Sequence, residues 1–107
     1  MQIKISSKHL PLTEALETYA SKKIEKFTRY FNRVQQVEVV IDKAKTGYTV
    51  EIITDVEHHE SFVATSTHED LYACLDLGIN RSIRQLTDHK SRLRDNKHHT
   101  PIGGLET

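Results

Sequence analysis

Two long segments of this chain repeat apolar residues at helical spacing, and four short ones alternate them. From Thr67 to about Arg94, Leu71, Leu75, Ile79, Ile83, Leu86 and Leu93 fall within an arc of roughly 120°, the width of a helix lying on one core. Thr67 and Asp70 predict its start: a hydroxyl caps the free amides and a carboxylate faces the positive helix end. An earlier helix is predicted from an N-cap at Thr13 to about Phe31. Leu16, Ala20, Ile24, Phe27 and Phe31 share an arc of roughly 80°, and Glu14 and Glu17 suit its first turn.

Met1 to Ser6 alternates with Ile3 and Ile5 on one side, the period of a half-buried strand. Val37, Val39 and Ile41 alternate with Glu38, Val40 and Asp42. After a turn near Lys45 to Gly47, Val50, Ile52, Thr54 and Val56 alternate with Glu51, Ile53, Asp55 and Glu57. Ser61 to Ser66 completes three strands with tight connections, most simply an antiparallel meander. The order is β-α-β-β-β-α: an α+β fold in which both helices cover one face of a four-stranded sheet and the other face meets solvent. Residues 1–94 form the domain. Residues 95–107, with Pro101, Gly103 and Gly104, lack periodicity and read as a flexible tail.

At 107 residues the chain is one domain with a core large enough to need neither metal nor disulfide. Cys74 is the single cysteine and reads as a packing residue. No signal peptide or membrane span is apparent, which suits a soluble cytoplasmic protein. The remaining surfaces are charged, so the free protein is expected to be a monomer. Net charge is zero, with 15 Lys plus Arg against 15 Asp plus Glu, but its distribution is uneven.

Lys22, Lys26, Arg29 and Arg33 fall within roughly 60° on the first helix, a ridge about 16 Å long, with Lys23 beside them. Arg81, Arg84 and Arg92 point away from the core of the second. With two adjacent helices, these ridges are expected to share a cationic groove suited to a phosphate backbone, while the open sheet face carries Glu38, Asp42, Glu51, Asp55 and Glu57.

The seven histidines show no metal-ligand spacing, so neither metal nor cofactor is expected. No paired carboxylate, Gly-rich phosphate loop or Ser-His arrangement suggests an enzyme. A double-stranded RNA module shares the α-β-β-β-α core but uses a Lys-rich start of its last helix, and here that start is Thr67, His68, Glu69, Asp70. A protein-interaction adaptor using the acidic sheet face is the non-nucleic alternative.

The opening MQIKISSKHLPLTEALETYASKKIEKFTRYFNRVQQVEVVI, and HEDLYACLDLGINRSIRQLTDHKSRLR with Asp70, Tyr72 and Asp76, resemble the bacterial ribosome hibernation promoting factor family, including the ribosome-associated translation inhibitor. The resemblance covers about residues 1–94. It implies the same fold, and binding to the small ribosomal subunit between head and body, at the mRNA and tRNA positions of the decoding site, during stationary phase or stress. No catalysis is implied. Carried over by position, the family's basic helix residues fall on Lys22, Lys26 and Arg29, and on Arg81, Arg84, His89, Lys90 and Arg92. Asp88 stands where short relatives tend to have Lys, which weakens the second ridge. A missing C-terminal dimerisation domain implies the short form, whose ribosome pairing relies on a separate modulation factor. Whether it pairs ribosomes or only inhibits translation stays open.

Overall fold

The alternation of the strands translates directly into burial. Val37, Val39, Ile41 and Ile52 are completely buried on the inner face of one sheet, while Glu38, Asp42, Glu51 and Asp55 stand on the outer face with Val40, Ile53 and Val63 among them. The computed structural model describes residues 1–99, as β1 (Gln2–Ser7), α1 (Glu14–Ile24), α2 (Phe27–Tyr30), β2 (Val34–Lys43), β3 (Tyr48–Val56), β4 (Phe62–His68) and α3 (Leu71–His99). Strands lie in the order β1-β2-β3-β4. β2, β3 and β4 form the predicted antiparallel meander, and β1 runs parallel to β2 with Ile3 opposite Val37 and Ile5 opposite Val39. A parallel neighbour requires a crossover, which the first helical segment supplies. The α+β class and the β-α-β-β-β-α order are as the pattern predicts.

Three boundaries differ from the sequence reading. Thr67 does not cap the last helix, because its backbone is committed to β4, opposite Thr49. Asp70 caps instead: its Oδ2 accepts from the Ala73 N–H at 2.8 Å and its carbonyl from the Cys74 N–H at 2.9 Å. The single helix expected up to Phe31 is broken, with α1 ending at Ile24 and one further turn, α2, beginning at Phe27. Between them the Lys26 N–H reaches back only to the Lys23 carbonyl, the tight bonding of a helix end. At the other end of the chain, α3 passes Arg94 and runs to His99. The rest of the predicted tail, residues 100–107, lies outside the described residues.

The core collects Leu16, Ala20, Ile24, Phe27 and Phe31 from the first helical arm, and Cys74, Leu75, Ile79 and Leu86 from α3, against the sheet. Gly78 lets α3 lie close, since a Cβ there would stand 3.1 Å from both Ile52 Cδ1 and Ser66 Oγ. Gly47, at φ +94°, turns β2 into β3 against the start of α3, where a Cβ would come within 2.5 Å of the His68 carbonyl oxygen. The stripe residue Leu93 escapes burial and is 36% exposed. The reason is length: α3 has 29 residues, about 43 Å at ~1.5 Å per residue, whereas the strands it lies on, the nine-residue β3 and the seven-residue β4, span only about 30 and 23 Å.

Candidate nucleic-acid interface

A helix lying on a sheet has two flanks, and the strand order assigns them. One flank of α3 faces the first helical arm; the other faces the free edge of β4. The cations predicted to form a shared groove divide between these flanks.

On the inner flank, the end of α2 and the residues after it meet the C-terminal half of α3. Thr28, Arg29, Phe31, Asn32 and Arg33 from the one, and Lys90, Leu93 and Arg94 from the other, line a recess of about 620 Å³. Four of these eight are cations, none is an acid, and all four are exposed. Arg29 projects from the one-turn helix. Arg33 lies in the turn that follows it, held by its carbonyl accepting from the Glu57 N–H at 3.1 Å. Lys90 and Arg94 lie four apart, one above the other on α3. Arg94 and Leu93 went unrecognised as site residues in the sequence, the first at the presumed helix end and the second assigned to the core. Asp88 does not line the recess, because residues two apart on a helix are separated by about 200°. Its acidity leaves this cluster intact.

The other predicted residues take different positions. Lys22 is exposed on α1 toward β1, beside Glu17 and Glu25, and Lys26 is exposed at the break between α1 and α2. Lys23 is half-buried and bonded to Asp76, which keeps it from standing free on a ridge. Tyr19 OH donates to the same Asp76 oxygen at 2.8 Å, and the Tyr72 ring packs edge-on to Tyr19 at 4.8 Å. Asp70, Tyr72 and Asp76, which mark the resemblance most clearly, thus cap α3 and join it to α1. Burial opposes ionisation of Asp76, but its bonds from Lys23 and Tyr19 prevail and hold its carboxyl below the usual range; Lys23 is raised chiefly by the same bond.

Arg81 and Arg84 occupy the outer flank, around a shallow hollow with Val63, Thr65 and Gln85. Arg81 Nη1 donates to the Thr65 carbonyl, and Gln85 Nε2 to the Val63 carbonyl at 3.0 Å. These bonds occupy the outward carbonyls of the edge strand. His89 is also displaced from the predicted ridge. It is buried, with its ring against Phe31 at 5.1 Å, Phe62 at 5.3 Å and His59 at 4.6 Å. Loss of water, then the nearby His59, Arg92 and Arg33, lower its pKa, disfavouring the imidazolium. Arg92 is exposed next to it.

Among the described residues no group of three or more His, Cys, Asp or Glu could hold a metal ion, and no helix is long and apolar enough to cross a membrane. The arrangement is a cationic recess with an apolar and amide lining, an electrostatic setting suited to a polyanion.

Comparison with known proteins gives this arrangement a context. Residues 3–94 match the family described as Sigma 54 modulation protein / S30EA ribosomal protein. A ribosome hibernation promoting factor of Azotobacter vinelandii is 37% identical over 92 residues, covering 86% of this chain and 85% of that protein. The protein of the same description from Escherichia coli K12 is 35% identical over 94 residues, covering 88% and 98%. Among solved structures, the N-terminal domain of Thermus thermophilus Protein Y superposes with a TM-score of 0.75 at 26% identity, covering 83% of this chain and 99% of that one. A ribosomal subunit interface protein from Coxiella burnetii has the same fold, with a TM-score of 0.79 at 18% identity, covering 85% and 99%.

Proposed function

This chain belongs to the Sigma 54 modulation protein / S30EA ribosomal protein family, whose members bind ribosomes without catalysis, and we propose that it is a hibernation factor of the small ribosomal subunit. In this reading it occupies the decoding region, blocks mRNA and tRNA, and holds ribosomes inactive in stress or stationary phase, alone or with a modulation factor that pairs them. The observation that supports it is the convergence of Arg29, Arg33, Lys90 and Arg94 from two elements on one recess free of acids. Guanidinium and ammonium groups so placed meet phosphates with little rearrangement. Lys22 and Lys26 extend the cationic surface along the first helical arm, with Arg84 and Arg92 as outlying contacts on α3. Lys23, Arg81 and His89 act instead by holding the frame.

The acidic sheet face argues against contact with RNA on that side and orients the molecule in the field of a ribosome. The test is cosedimentation with purified small and large subunits across a salt series. With about six phosphate contacts, log affinity for the small subunit should fall with log salt at a slope of roughly −4 to −5. Binding indifferent to salt removes the phosphate reading, and preference for free duplex RNA over subunits favours a general RNA module.

A further inference from the structure

Resting on that reading, we infer that the recess between α2 and α3 receives one unstacked nucleotide of the bound RNA, its base over Leu93 and its phosphates on the surrounding cations. A ridge that only tracks a backbone needs charges on a convex surface. This site is a hollow, and its volume of about 620 Å³ exceeds what a phosphate fills.

Its lining is divided in the way a nucleotide is divided. Arg29, Arg33, Lys90 and Arg94 stand around it, while Leu93 presents apolar surface left uncovered where α3 outruns the sheet. An exposed leucine among four cations does nothing for solubility and offers a base a dry surface. Guanidinium planes add faces on which a base can stack. Thr28 and Asn32 are the uncharged polar groups of the lining. The Thr28 hydroxyl donates to the Glu25 carbonyl at 3.3 Å, which leaves the exposed Asn32 amide, one donor beside one acceptor, to meet the edge of the base. Phe31 closes the inner wall and is itself braced by His89, so the hollow is preformed.

The experiment uses the full chain and two RNA hairpins that differ only in a single bulged adenosine, with Leu93→Ser as the variant that removes the apolar surface without touching a cation. Wild type should bind the bulged hairpin about tenfold more tightly than the perfect one, the scale of one stacked base. Leu93→Ser should lose most of the preference while keeping the wild-type salt slope, and Asn32→Ala should lose part of it. Both positions are at the surface, and thermal melts confirm that the variants fold. Equal binding of the two hairpins by wild type, or an undiminished preference in Leu93→Ser, overturns the nucleotide site and leaves the phosphate surface standing. If wild type binds neither hairpin nor subunits, the ribosome reading falls with it.

Discussion

Lys23 Nζ lies 2.8 Å from Asp76 Oδ1, tying α1 to α3 across 53 residues of sequence, and the Tyr19 hydroxyl donates to the same oxygen. Lys23 also rests 4.9 Å from the Tyr19 ring centre. The ion pair is half open to water, so its own contribution is modest. Asp76→Ala removes both bonds and should cost about 1–2 kcal/mol, a drop in melting temperature of roughly 5–10 °C. Lys23→Ala should cost about 0.5 kcal/mol and leave small-subunit binding unchanged. Loss of binding in the folded Lys23→Ala protein would return this lysine to the interface.

Gly47→Ala combines an unfavourable backbone angle with a collision against the β4–α3 connection. It should destabilise by about 2–3 kcal/mol, read as a lower urea midpoint at unchanged slope.

The buried His89 makes stability depend on pH. Its folded pKa is lowered by burial, then by His59, Arg92 and Arg33, so below about 6.5 the unfolded chain binds the proton more readily than the folded one. The His89 contribution is therefore present above the unfolded pKa of about 6.5 and is lost as pH falls toward the depressed folded value. Urea titrations at pH 7.5 and 5.5 should show this loss, and it should shrink in His89→Phe, which keeps a ring against Phe31 and Phe62.

Reversing charges on opposite faces separates the RNA surface from the adaptor alternative. Arg33→Glu with Lys90→Glu should abolish small-subunit cosedimentation and relieve inhibition of translation in vitro, with stability changed by about 0.5 kcal/mol or less. Glu51→Lys with Asp55→Lys on the sheet face should keep binding. The opposite pattern would make the acidic face the interface.

Arg81 and Gln85 shield the outer edge of β4. Arg81→Ala with Gln85→Ala should leave subunit affinity within about twofold of wild type, yet expose the Val63 and Thr65 carbonyls to a second chain. Light scattering should then detect association that rises with concentration. A monomeric variant with lost ribosome affinity would show that Arg81 serves RNA directly.

Much of the fold was legible because burial imposes a local period. Val37, Val39 and Ile41 could face only one way, as could Leu75, Ile79 and Leu86, and the resemblance on Asp70, Tyr72 and Asp76 pointed to the right family. The break at Glu25 and Lys26 was invisible, since neither glycine nor proline marks it. Thr67 looked like a cap because nothing local says that a strand runs almost directly into the helix.

What the amino-acid order determined by itself was the side of each element turned toward the core and the presence of cations on the remaining sides. What only the tertiary structure decided was which of those cations meet. Arg81 and Lys90 lie on the same helix, but the strand order puts β4 beside one and α2 beside the other, so one holds a sheet edge and the other lines a recess. Lys23 and Arg29 differ in the same way, one finding a carboxylate on α3 and the other a hollow. Helical periodicity sets a direction around one axis, whereas a partner depends on the neighbouring element, and that neighbour is chosen by contacts far apart in the chain.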